Sequence, residues 1–289
     1  MKRKHQLISD TFKAKKSRLP VGLEPLEHEG PKAVESALQY LASLFPRKLF
    51  EDSLPPLILK HQVYSLVKDR TTVDRQLSQL KDEGRIRMFQ HGLDVDTFVM
   101  TFTENYKAKV LEFVSGKEFA RTAKKFLDSV LSSCPDISYD KKRMLGEFGF
   151  TDTEITQLVN AGMLTVREAG SWWLSVPGAG RFIKYFIKVF TPKGASHLHD
   201  CLSPGRKAVL GMIQKAKYKE VLLSDLQSRR APRAVKLGMP YHIHDIIGAQ
   251  LVDWYEIFFP PSLPPGGCLS ERLGVLDPWV SDCNPAKET

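Results

Sequence analysis

The stretch TDTEITQLVNAGMLTVREAGSWWLSV, residues 151–176, decides the fold. Thr151 and Glu154 stand three apart, as in a capping box, where each side chain satisfies the other's orphan backbone N–H and opens a helix. Ile155, Leu158, Val159 and Met163 then fall on one helical face. The period changes to two: Leu164 and Val166 alternate, Ala169-Gly170-Ser171 turns the chain, and Trp172, Leu174 and Val176 alternate back. A helix followed at once by a tight hairpin is therefore expected. Trp172 faces the core; Trp173 points the other way, either under the following helix or free to stack on a base, and the covered reading is preferred.

Working outward, the same pattern recurs. Before it, Val34, Leu38 and Leu41 mark a helix ending at Pro46, Leu57 to Leu66 a second, and Val73, Leu77 and Leu80 a third that stops at Gly84. Two extended runs, 85–90 and 97–102, follow around His91-Gly92. The middle pass adds a linking helix over about 118–133 and a helical stretch over 139–148. After it, Val209 to Ala216, Val221 to Leu226 and Ile243 to Ile247 read as three helices, followed by a strand run from Leu251 to Phe259. Helix–helix–helix–hairpin is the winged-helix pattern. The expected fold is mainly α with small β-hairpin wings (α+β), as three tandem winged-helix domains. The boundaries are a basic tail and linker at 1–31, domains at 32–116, 117–188 and 205–259, an inserted loop at 189–204, and a disordered Pro-rich tail at 260–289.

The 289 residues carry 42 Lys and Arg against 33 Asp and Glu, a net charge of +9. The excess is local: residues 181–240 hold thirteen basic and three acidic side chains, whereas residues 241–289 hold two basic and seven acidic ones. Concentrated charge of this kind suits a polyanion, here double-stranded DNA. Arg181, Lys184 and Lys188 line one face of a helix at i, i+3 and i+7; Lys215 and Lys217 end another helix, and Arg229 and Arg230 a third. Flexible cations at helix ends suit phosphate contact without sequence reading. The helices that usually enter the major groove are poor readers: the first has a mixed face (Arg70, Asp74, Arg75, Lys81, Asp82), the second no cation, and the third offers His242, His244 and Asp245 outward. In the tail, Lys2, Arg3 and Lys4, then Lys13, Lys15, Lys16 and Arg18, form two clusters spaced as in a bipartite nuclear import signal, so a nuclear location is expected. No apolar run spans a bilayer, so no membrane is involved. The four cysteines lack metal-ligand spacing, and His197, His199, Asp200 and Cys201 read as a loop; neither metal nor cofactor is expected. The expected state is a monomer or weak dimer.

Arg181-Phe-Ile-Lys-Tyr-Phe186, Gly170-Ser-Trp-Trp-Leu174, Leu158-Val-Asn-Ala-Gly162, Gln62-Val-Tyr-Ser-Leu66 and Gly248-Ala-Gln-Leu-Val252 resemble the serine/threonine-protein kinase 19 family, also called winged-helix repair factor. The resemblance covers about residues 1–188 and 205–253. It implies a nuclear DNA-binding protein of transcription-coupled nucleotide-excision repair, with the stalled RNA polymerase II complex and TFIIH as partners. It also places the family's DNA-contacting cations on Lys184, Lys215, Lys217, Arg229 and Arg230, with Gln214 where the family can carry Arg. Kinase chemistry is not expected despite the name: a Gly-rich phosphate cover, an H-R-D base and a D-F-G metal ligand are all missing, and Gly146-Glu-Phe-Gly149 sits in a helical stretch. The alternative class is a protein–protein adaptor whose basic block faces acidic partners. Two departures from the family pattern, Val189 to Pro204 and the segment after Asp253, read as variant splicing or gene-model products, which cDNA sequencing across both junctions tests.

Overall fold

The computed structural model describes residues 31–90, 98–179, 204–257 and 270–275. One order of elements occurs three times: helix, strand, helix, helix, strand, strand. The first unit comprises α1 (Pro31–Leu44), β1 (Ile58–Leu59), α2 (Lys60–Val63), α3 (Arg70–Asp82), β2 (Ile86–Gln90) and β3 (Phe98–Phe102). A connecting helix, α4 (Thr103–Val114), leads to the second unit: α5 (Ala120–Ser133), β4 (Ser138–Asp140), a π-turn at Arg143–Glu147, α6 (Asp152–Asn160), β5 (Leu164–Glu168) and β6 (Ser171–Leu174). The third comprises α7 (Pro204–Gln214), β7 (Glu220–Leu222), α8 (Leu223–Ser228), α9 (Met239–Gly248), β8 (Val252–Ile257) and β9 (Ser270–Val275). Each unit closes as an antiparallel three-stranded sheet whose last strand lies in the middle: β1-β3-β2, β4-β6-β5 and β7-β9-β8.

The third helix of each unit ends in the same way. Gly84 lies at φ +71°, with its N–H on the Lys81 carbonyl and the Arg85 N–H on that of Leu80, both at 2.9 Å. Gly162, at φ +74°, repeats this through Val159 and Leu158. This is the Schellman stop, and it turns the chain straight into the hairpin. In the third unit Gln250 holds the left-handed position at φ 54°, with the same two bonds to Ile247 and Ile246. The capping box of α6 forms as the sequence suggests: Thr151 N–H donates to Glu154 Oε2 at 2.9 Å, and Glu154 N–H to Thr151 Oγ1 at 3.2 Å.

Two cores serve single units: Val34, Leu41, Val73 and Leu77 in the first, and Val209, Ile213, Ile243 and Leu273 in the third. A further core runs through the second unit and takes in Phe45, Phe50 and Phe89 from the first and Leu237 and Tyr241 from the third. With each fully buried aliphatic or aromatic side chain contributing roughly 1.5–3 kcal/mol, this shared core ties the three units together. Arg87, buried in β2, reinforces the tie by donating to the Leu131 and Cys134 carbonyls at the end of α5, where a cation also meets the negative pole of the helix. Tyr106 of α4 donates to the Ser175 carbonyl at 2.9 Å.

Several sequence expectations change. The expected second helix over Leu57–Leu66 begins instead with the strand Ile58–Leu59, paired with Met100 and Val99. The expected helix over Val221–Leu226 begins with the strand Glu220–Leu222. The helical stretch at 139–148 likewise opens as the strand Ser138–Asp140. These strands span two or three residues, too few for a period of two to declare itself against helical neighbours. Helix α4 was not foreseen. The tail assigned as disordered at 260–289 contains Ser270–Val275, the middle strand of the third sheet, so the third unit reaches beyond the expected end at residue 259. Pro31, expected at the end of the linker, opens α1, and Pro204, expected at the end of the inserted loop 189–204, opens α7; the rest of that loop, the rest of the tail and residues 1–30 lie outside the described residues.

Candidate nucleic-acid interface

Four of the expected DNA-contacting cations belong to described residues, and all four are exposed side chains on two loops of the third unit. Lys215 and Lys217 follow α7, in the segment that leads to β7. Arg229 caps the C-terminus of α8, its N–H on the Asp225 carbonyl at 3.1 Å, and Arg230 follows it. Arg233 and Lys236 are exposed in the same α8–α9 loop and were not singled out in the sequence; basic residues three apart after Arg230 were the available signal. Arg181, Lys184 and Lys188, and the import-signal residues Lys2, Arg3, Lys4, Lys13, Lys15, Lys16 and Arg18, lie outside the described residues. So do His197, His199, Asp200 and Cys201. Trp172 packs against the shared core, while Trp173 is half-buried with the Arg167 guanidinium 5.3 Å from its ring centre.

The three groove-entering candidate helices fare differently. On α3, Asp74 receives Lys60 at 2.8 Å and the Tyr64 hydroxyl at 2.7 Å. Against the upward push of burial, these bonds hold the Asp74 carboxyl below its usual range. On α6, Glu154 is engaged by its cap and by Lys125 at 3.1 Å, and Gln157 accepts from Thr122 at 2.7 Å. A groove of about 610 Å³ between the first two units is lined by Lys81, Arg143 and Arg167 but also by Asp136, Asp140 and Glu168, with Arg143 paired to Asp136 at 2.7 Å. Its charges largely cancel, so it offers a polyanion little.

Helix α9 overturns its expectation. His242, His244 and Asp245, read as an outward face, are at most 1 % exposed. They are buried because α9 docks on α2 and α1 of the first unit while packing on α7 of its own. The docking is polar and close. Asp245 accepts from Arg206 Nε at 2.6 Å and Nη2 at 2.5 Å, and lies 2.7 Å from His61 Nε2. Burial pushes the Asp245 carboxyl up, but the Arg206 charge and its hydrogen bonds prevail and hold it well below the usual carboxylate range. His244 Nδ1 meets Ser65 Oγ at 2.7 Å, with the Tyr40 ring edge-on at 5.5 Å, and burial lowers its pKa to about 4. Gln62 Nε2 donates to the Tyr241 carbonyl at 3.0 Å, and the Tyr241 hydroxyl to the Leu57 carbonyl at 2.8 Å. Gly248 sits so near α2 that a Cβ there would stand 1.9 Å from the His61 carbonyl oxygen. The signal for this burial was present: Tyr241-His-Ile-His-Asp245 places polar groups on a helix that has no lysine or arginine and isoleucines on its other side. Two of the motifs that carry the family resemblance, around Gln62 and Gly248, thus touch each other.

No helix among the described residues is long and apolar enough to cross a membrane, and no cluster of three or more metal-ligating side chains occurs among them.

Comparison with known proteins gives consistent results. The family model described as "Inactive serine-threonine protein kinase 19" matches residues 35–257. The human protein named "Winged helix repair factor 1" is 53 % identical over 253 residues, spanning 87 % of this chain and 93 % of its own length. The Xenopus laevis protein of the same name is 49 % identical over 261 residues, 88 % and 94 % of the two chains. A Dictyostelium discoideum protein, again of that name, is 22 % identical over 233 residues. With a model match from α1 to β8 and half-identical relatives covered almost end to end, the chain belongs to the inactive serine-threonine protein kinase 19 family.

Proposed function

We propose that the three repeats are tandem winged-helix domains, at 32–116, 117–188 and 205–275, and that the chain is a sequence-independent DNA-binding scaffold without enzymatic activity. Within transcription-coupled nucleotide-excision repair it joins the stalled RNA polymerase II complex in the nucleus and helps position TFIIH. The repeated helix–strand–helix–helix–strand–strand order, with the last strand central in each sheet, supports the domain assignment. The relatives' names support a repair role, and the family description supports the lack of kinase chemistry. The polymerase and TFIIH partnerships rest on the family resemblance.

The observation that carries the DNA reading is a division within the third unit. Its groove-entering helix α9 is sealed against the first unit, while Lys215, Lys217, Arg229 and Arg230 stay exposed on loops. A unit that presents cations and withholds its reading helix is suited to phosphates and not to base edges. Arg181, Lys184 and Lys188, which lie outside the described residues, are included among the phosphate contacts on the strength of the sequence pattern and, for Lys184, the family resemblance. The test is a salt titration of duplex binding by the wild-type chain and a Lys184→Glu/Arg229→Glu variant. The wild type gives a steep fall of affinity with salt, and the variant a slope shallower by about 2, one for each lost phosphate contact. Wild-type affinity indifferent to salt refutes the reading.

A further inference from the structure

Among the described residues, a few large hydrophobic side chains face solvent, and one does so more than the rest. Tyr218 is 70 % exposed, more than any other exposed large hydrophobic. It occupies a β-turn closed by the Lys219 N–H on the Ala216 carbonyl at 3.0 Å, with Lys217 and Tyr218 as the two central residues. The turn is held from both sides. Behind it, α7 buries Ile213 in the third core; ahead, β7 pairs with β9 through Val221 and Leu273. Tyr218 is thus presented from a rigid mount.

Its surroundings narrow what it can meet. Lys215, Lys217 and Lys219 flank it in sequence, and the Lys217 ammonium lies 5.2 Å from the ring centre. Its chain neighbours are long cations and most of the ring faces solvent, an arrangement that offers a hydrophobic peptide side chain little to bury against. A flat ring among cations matches a ligand that combines a π-face with negative charge, which is the chemistry of a nucleotide within a strand. Inside a duplex, bases are stacked on each other and closed to such a ring; an unpaired base is not.

We infer that Tyr218 is a stacking platform for an unpaired base, with the flanking lysines holding the adjoining phosphates. The site makes the protein prefer DNA with a locally opened strand over continuous duplex. The inference rests on the DNA-binding reading above and adds the substrate feature to it.

The experiment compares the full chain with Tyr218→Ala and Tyr218→Phe on two DNAs, a continuous duplex and the same duplex with a short unpaired bubble carrying 2-aminopurine. Affinity is read by anisotropy and stacking by 2-aminopurine quenching. The wild type binds the bubble more tightly and quenches the probe. Tyr218→Ala loses about 5- to 150-fold on the bubble, the range of one base–aromatic stack, and stays within about twofold on duplex; Tyr218→Phe behaves as wild type. Tyr218 packs in no core, so the alanine variant keeps the fold. An unchanged Tyr218→Ala, or one that weakens equally on both DNAs, overturns the stacking inference and leaves the DNA-binding reading standing. A wild type that binds neither DNA overturns the reading itself.

Discussion

Replacing Asp245 by asparagine tests how the third unit is attached to the first. The carboxylate is wholly buried and takes two hydrogen bonds from Arg206, with His61 on the same oxygen as one of them. Asparagine keeps the shape, removes the charge and turns an NH2 donor toward a guanidinium that can only donate. Removing one member of a buried ion pair costs about 3–5 kcal/mol, because the other charge is left unsatisfied. The Arg206 side chain keeps 17 % of its surface in water, which softens its isolation and places the expected loss near the lower limit, about 3 kcal/mol. For a chain of this size that corresponds to a fall of roughly 6–12 °C in Tm. Urea unfolding followed by tryptophan fluorescence measures it, with Arg206→Met and the double variant completing a cycle. The double variant recovers much of the loss, since no charge is then stranded. Raising salt leaves the effect intact, because the pair is shielded from solvent ions. A loss below about 1 kcal/mol, or single effects that simply add, refutes the account of α9 as ionically anchored.

Acidification acts on the same junction. His244 stays neutral in the fold down to about pH 4, while its unfolded form takes up a proton near pH 6.5, so stability is full above that value and declines between pH 6.5 and 4 by about 3 kcal/mol. Urea midpoints across this range, compared with His244→Asn, check it; a variant with the wild-type pH slope refutes the assignment. Gly248→Ala sets a methyl against the His61 carbonyl and forces α2 and α9 apart, with an expected loss of about 3 kcal/mol or more in urea unfolding. Gln250→Gly relieves the left-handed position that Gly84 and Gly162 fill in the other units, and thermal unfolding shows a gain of about 0.5–1 kcal/mol.

The repeat was readable where a local signal was strong. The capping box at Thr151, the glycine stop at Gly84 and the hairpin through Trp172 are each decided by neighbouring residues, and each formed as the sequence suggests. Ile58–Leu59, Ser138–Asp140 and Glu220–Leu222 were missed because they are strands only by virtue of a partner that arrives much later in the chain. The same blindness to distant partners hid the junction: nothing near Asp245 in sequence announces Arg206 or His61. Candidate cations were legible as a block of charge; the structure shows Lys215, Lys217, Arg229 and Arg230 exposed, and their contact with DNA is a proposal. Tyr218 was overlooked because an aromatic next to a helix reads as core until its turn is seen.

The position of β9 shapes how the molecule is made. The strand that occupies the centre of the third sheet is the last of its three to leave the ribosome, separated from β8 by twelve residues. Until Val275 emerges, β7 and β8 have no common neighbour, and both present unsatisfied backbone edges of the kind that recruit stray strands. A message terminating shortly after Ile257 therefore yields more than a shortened tail: it leaves a sheet without its keystone and a nascent chain prone to aggregate.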